Sequence, residues 1–305
     1  VGSEMCIRDS SLCSIIKEKI LRGGNMSNFR DEDYAYILGD CLHDIFYVDS
    51  SYRGKIAQMR LLSEIIVRKL IDYNPDDQLT IGDKEVLKTV KALTYGDHFK
   101  KCILAVKNDT TDYYAANSCS HSKVRSQITQ DDYNKIYEHL LDLISCLFIQ
   151  FFSKHTFGTN QKIVSCFSLL PPIIRYKVLS FLYANDNHNI ILIDKLVLVT
   201  LKEFGKEKTT QWLEDNKAHL TSIPTDFYDN MYQYSLRTVA TNMKAAYQTM
   251  EEAKVFFNHN KKAFVEDTEE EVRDFAKLME FFYTGRKLDT KIVPSEYVVS
   301  FHDKK

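Results

Sequence analysis

The chain has 305 residues, 44% hydrophobic and 27% charged, with a formal net charge of −2. This is the balance of an ordinary globular protein, with no global field to draw it onto nucleic acid or membrane. No apolar run approaches the ~20 residues of a bilayer span, so no membrane-spanning helix is expected, and any nucleic-acid contact must come from a local patch. Ten glycines and five prolines punctuate the chain, which favours long helices over many tight strand turns.

Residues 1–25 are expected to be a non-native leader. VGSEMCIRDS resembles translated sequencing-adapter sequence, and Glu4, Arg8 and Asp9 rule out a secretory signal. Arg22-Gly23-Gly24 can be encoded by a purine-rich bacterial ribosome-binding stretch, which makes Met26 the expected start. The other reading is a native helix with an apolar stripe of Ile15, Ile16 and Ile20. Beyond the leader, Cys41, Cys102, Cys119, Cys146 and Cys166 remain. They are odd in number, widely spaced and without a CxxC pair, so neither a disulfide framework nor a zinc site is expected. Reduced thiols in a cytoplasmic protein are.

Apolar residues at three- and four-residue steps predict a helix over 31–48, from Tyr34 to Phe46, opened by Asp31 and Glu32. A second fits 53–73, carrying Ile56, Met59, Leu62, Ile66 and Leu70 and ended by Asn74-Pro75. Helices follow over 83–93 and from Asp97 through Phe99, Ile103 and Val106. Residues 108–128 are polar and predict an extended loop around a short helical piece. Thr129 and Asp132 then form a capping box for a strongly periodic helix, from Tyr133 to Phe151. Its stripe is wide enough for the centre of a bundle or for an interface.

Phe157-Gly158-Thr159-Asn160 marks the expected domain boundary. Shorter helices are predicted over 161–170, 172–184, 189–204, 206–220, 225–250, 250–259 and 268–284. Pro172 opens one, Gly205 closes another, and Thr268 with Glu271 caps the last, which Gly285 stops. Residues 190–200 are rich in Ile, Leu and Val, yet Ile190, Ile193, Val197, Leu201 and Phe204 keep a helical period. The aromatic residues Phe256, Phe257, Phe281, Phe282 and Tyr283 are expected to pack this half or to mark a partner surface.

The segment that carries chemistry is KNDTTDYYAANSCSHSKVRSQITQDDY, residues 107–133. Asn117 and His121 are four apart and share a side of any helical turn. Lys123 and Arg125 follow, and Tyr113-Tyr114 can stack on bases or pack half-buried. The remaining histidines, among them His98, His139 and His155, are scattered without a ligand spacing, and no Gly-rich phosphate loop or G-x-S-x-G element is present.

The order of helices over residues 31–155, the polar insertion and the placement of Asn117 and His121 before the long helix resemble the HEPN family. The resemblance implies an antiparallel helical bundle, a homodimer in which two motif copies meet, and metal-independent endoribonuclease chemistry. In that family a histidine moves protons at the ribose hydroxyl or leaving oxygen while an arginine holds the phosphate. Asn117 and His121 match the family's polar residue and histidine, and the position matching its arginine is Ala116. Arg125, Lys107 or Lys123 would have to supply the missing cation. The expectation is therefore an all-α protein: a HEPN-like bundle over 27–157, a second helical domain over 158–290 and a tail over 291–305. Its candidate catalytic residues are His121, Asn117 and Arg125, with RNA or a protein as partner and no metal or cofactor. A non-enzymatic helical binding or scaffold protein is the alternative. There His121 only caps a turn or bonds Asn117, and Lys123 and Arg125 are solvated.

Overall fold

Over residues 28–112, 128–241 and 249–288, which the computed structural model describes, every element is a helix and no strand occurs. The all-α reading therefore holds. The first helices are α1 (Asp31–Phe46), α2 (Tyr52–Leu70), α3 (Lys84–Lys91), α4 (Gly96–Asp112) and α5 (Gln130–Phe152). No helix among the described residues is long and apolar enough to cross a membrane.

Local chemistry sets most of the starts. Ser51 accepts from the Gly54 N–H at 3.3 Å and Asp83 from the Glu85 N–H at 2.9 Å, each capping donors that have no partner in the first turn. The capping box predicted at Thr129 forms, with the Asp132 N–H donating to Thr129 Oγ1 at 3.2 Å and the Thr129 N–H donating to Asp132 Oδ2 at 2.9 Å. α4 runs on to Asp112, four residues past the point where the polar composition predicts a loop. Asp109 and Thr110 are buried there, the first paired with Lys135 and the second bonding back to the Val106 carbonyl at 2.7 Å. Tertiary partners thus outweigh the weak helix propensity of Asn, Asp and Thr.

α5 is the hub. Residues 143–149 are buried without interruption, so two turns of this helix have no solvent face. It packs against α2 and α4 on one side and α7 (Pro172–Asn185) on another. The C-terminal helix α13 (Glu270–Tyr283) also lies on it, with Phe148 and Phe152 meeting Phe275 at ring separations of 6.1 and 5.7 Å. The wide stripe on α5 is therefore covered within the chain, as the bundle-centre alternative requires.

Beyond α5, α6 (Gln161–Phe167) lies against α13, and α8 (Ile190–Asp215) pairs with α7 and α10 (Met231–Ala240). Residues 190–200 are helical, and Gly205 breaks α8 with φ 80° and ψ −179°, a conformation open in practice only to glycine. The short α9 (Lys217–Thr221) precedes α10. Helix was expected over 225–250, but the backbone turns first. Thr225 Oγ1 accepts from the Tyr228 N–H, and Asn230 caps α10 through the Gln233 N–H at 3.0 Å. α11 (Met250–Asn260) starts on a Thr249–Glu252 capping box, and α12 (Lys262–Val265) leads to α13. The Thr268–Glu271 box does not form. Asp267 Oδ1 instead accepts the Glu269 N–H at 2.9 Å, and Glu271 turns away to His155 at 3.2 Å.

One apolar cluster runs from Phe29 through α5 to Tyr283, on both sides of Gly158. Phe29 meets the edge of Phe281 at 5.8 Å, and the Lys69 ammonium sits 4.5 Å from the Phe281 ring centre. A smaller cluster joins Ile193, Val197 and Leu213 to Met231 and Val239. The aromatic residues of α11 and α13 are all buried, as core packing requires.

Gly285 ends α13 as predicted, with φ 75°. A Cβ there would lie 2.7 Å from the Cα of Gly39 in α1. Gly285→Ala thus combines backbone strain with a backbone clash and is expected to cost about 2–5 kcal/mol, whereas Gly205→Ala, with open space around it, should cost about 1–3 kcal/mol. Urea denaturation of the two variants checks the order. Lys202 on α8 provides a pH test. Burial, with Arg175 and Lys195 nearby, pushes its ammonium down to about 8. Between about pH 8 and 10.5 the unfolded chain then binds more protons than the folded one, so this residue makes stability rise with pH across that window. Lys202→Met should remove that rise, read as melting temperature against pH beside the unaltered protein.

Candidate functional site

The residues singled out from the sequence, Asn117, His121 and Arg125, lie outside the described residues, as do Ala116, Lys123, Tyr113 and Tyr114. Lys107 is on α4, its stem against Gly82, where an added Cβ would lie 2.5 Å from Lys107 Cδ. What can be built is the seam between the two helices that flank that segment, the end of α4 and the first half of α5.

Lys135 and His139 are four apart on α5 and therefore on one face. Both reach Asp109 of α4: Lys135 Nζ lies 3.0 Å from Oδ1, and His139 Nδ1 lies 2.6 Å from Oδ2. The carboxylate is buried, with 11% of its side chain exposed, while His139 keeps 30% and Lys135 60%. An ionised carboxylate only accepts, so His139 Nδ1 carries the hydrogen of this contact, and in the neutral imidazole Nε2 is the nitrogen with the lone pair. A buried acid thus fixes both the tautomer and the ring plane of a half-exposed imidazole, beside an exposed ammonium. This is the arrangement of an oriented general base with a cation at hand.

Two turns deeper along the same seam, His98 and Cys102 of α4 meet Cys146 of α5. Their Nε2 and two Sγ atoms all lie within 4.8 Å of one another. His98 Nε2 is 3.7 Å from Cys102 Sγ, and its ring lies 4.1 Å from that of Phe181. A hydrogen bond from Cys146, with help from His98 and against burial, lowers the Cys102 thiol to about 6. Burial drives Cys146 the other way, well above the usual thiol range. Cys102 is 6% exposed and Cys146 not at all, which suits a held atom better than an attacking nucleophile.

A third feature is a shallow groove lined by Lys84, Leu87, Lys88, Lys91, Ala92 and Lys100, on α3 and α4. Lys88 and Lys91 reach Glu85 and Asp97 at 3.4 and 3.7 Å, exposed pairs that contribute little. The cavity among α1, α2, α5 and α13 measures about 20 Å³, room for roughly one water, which excludes it as a substrate pocket.

No protein-family model, curated protein or solved structure matches the chain, so the site is read from its own geometry. The sequence treats His98 and His139 as scattered, and the structure corrects this. The legible signals were the four-residue spacings His98/Cys102 and Lys135/His139. Their partners, Cys146 and Asp109, lie 44 and 30 residues away, and only antiparallel packing supplies them.

Asp109→Ala is expected to lower stability by about 1–3 kcal/mol, since it removes the two links that Lys135 and His139 make from α5 to α4. Asp109→Asn should cost less yet release the His139 tautomer. Urea denaturation and imidazole nitrogen NMR read the two effects separately.

Proposed function

We propose that the chain is a HEPN-like protein that acts on RNA, with a rearranged, metal-independent endoribonuclease site built on His139. The observation that carries this reading is the Asp109–His139 pair with Lys135 beside it, on the helices that flank the HEPN-like segment. In this reading His139 Nε2 takes the proton of a ribose 2′-hydroxyl. The freed oxygen attacks the adjacent phosphorus, the 5′-oxygen leaves and takes up a proton, and a 2′,3′-cyclic phosphate remains. Lys135 offsets charge on the phosphate, the task an arginine performs in the family's motif, where this chain has Ala116. His121 and Arg125 are the residues through which segment 113–127 would join the site.

The four described cysteines are free thiols, which supports a cytoplasmic setting. The homodimer rests on the resemblance alone.

The second reading, a non-enzymatic binding protein, is favoured by the lysine groove on α3 and α4. It places RNA or an acidic partner on Lys84, Lys88, Lys91 and Lys100, with local charge on a chain of nearly neutral total.

Cleavage of single-stranded RNA in the presence of a chelator separates the two. The enzyme reading expects cyclic-phosphate products, no cleavage of all-deoxy substrate, and a loss of about 10²–10⁴ in rate for His139→Ala with binding retained. Intact RNA, or a His139→Ala variant as fast as the parent, sinks it. The binding reading expects the fourfold Lys→Ala variant to lose affinity, and the slope of log affinity against log salt to fall by about 0.7 per phosphate contact removed.

A further inference from the structure

The His98–Cys102–Cys146 cluster is not used by the reaction proposed above. It lies seven residues back along α4 from Asp109 and seven residues on along α5 from His139, or about 10 Å along the helix axes. Its composition is two sulfurs and one imidazole nitrogen, with no carboxylate among the converging atoms. Asp142, one turn before Cys146, holds Lys177 at 2.6 Å, and its backbone carbonyl faces the Cys146 thiol at 3.3 Å.

Donor chemistry and spacing narrow what such a cluster can hold. Calcium and magnesium require oxygen ligands. An iron–sulfur cluster takes four thiolates or a pair of histidines on one iron. Zinc takes thiolate at about 2.3 Å and imidazole at about 2.0–2.1 Å in tetrahedral geometry, which puts neighbouring nitrogen and sulfur ligands about 3.6 Å apart. The His98–Cys102 separation of 3.7 Å within α4 fits that spacing, and Cys146 Sγ of α5 lies within 4.8 Å of both ligand atoms. Two thiolates also neutralise a divalent cation, so the complex carries no net charge into a buried seam. Phe181 packed against the His98 ring holds Nε2 toward the sulfurs.

We propose that His98, Cys102 and Cys146 form a zinc site that pins α4 to α5. Three protein ligands bind the ion, and the fourth position is taken by water reaching in beside half-buried His98. Binding releases the remaining thiol protons to solvent, and no electron transfer is involved. The ion clamps the seam two turns below Asp109 and His139.

The test uses the full chain without a histidine tag, purified under reductant. Metal content is measured by mass spectrometry, and the stripped protein is titrated with cobalt(II) and zinc. One zinc per chain is expected, with the thiolate-to-cobalt charge-transfer band of a tetrahedral site and a melting temperature that rises with zinc. Cys102→Ser and His98→Gln, each checked for helicity by circular dichroism, should weaken zinc binding by at least about 100-fold, the upper end of what loss of a merely supporting residue costs. Cys166→Ser, which changes a buried thiol outside the cluster, and the Cys119→Ser/His121→Ala double variant should bind as the parent does. The proposal is overturned if the reduced parent takes up neither metal, or if Cys102→Ser and His98→Gln bind as tightly as it does. It is also overturned if the double variant alone loses the metal. Zinc uptake by a chain that cleaves no RNA would leave this site standing and remove only the ribonuclease reading.

Discussion

Seven consecutive buried residues in α5, from Leu143 to Ile149, impose the constraint on which the rest of the fold depends. A helix with no polar face cannot lie on a surface, so other helices must enclose it. α2, α4 and α7 pack on it, and α13 returns from near the end of the described chain to lie on it as well. The two polar residues of this stretch are satisfied locally: the Ser145 hydroxyl donates to the Leu141 carbonyl at 2.8 Å, and the Cys146 thiol faces the Asp142 carbonyl. Just past the end of α13, Gly285 stands backbone to backbone with Gly39 of α1.

The same constraint sets where chemistry can occur. Deep in the sleeve, groups that touch α5 must be apolar or mutually satisfied, and there the α4–α5 seam holds two thiols and an imidazole. Two turns nearer the start of α5 the burial relaxes: Lys135 is mostly exposed and His139 partly so, while Asp109 stays covered. A buried acid under a half-exposed imidazole is stable because the histidine and lysine supply its hydrogen bonds. The seam therefore grades from a closed, soft-ligand environment to an open, proton-handling one within a few helical turns.

Much of the fold was legible. Periodicity gave α1, α2, α5 and α7 to within a few residues, because an apolar face repeats whatever it packs against. Gly205 and Gly285 mark real backbone breaks, since their positive φ admits little else. The Thr129 box was readable because both of its hydrogen bonds lie within three residues of each other. The failures share one cause. Asn108 to Asp112 looks like loop in isolation and is helix because Asp109 finds Lys135 and His139 on α5 and Thr110 accepts from Arg60 of α2 at 3.5 Å. Thr268 and Glu271 look like a cap, but Asp267 caps the Glu269 N–H instead and His155 takes the Glu271 carboxylate.

The sequence by itself determined that the chain is helical, where most helices begin and end, and that its cysteines form no local pairing motif. Those properties depend on residues within a turn or two of each other, and linear spacing encodes them directly. Only the tertiary structure decided which distant groups meet. Cys146 joins His98 and Cys102, Asp109 joins His139 and Lys135, and α13 joins α1 and α5, because two antiparallel helices fix a register that no single stretch of sequence contains.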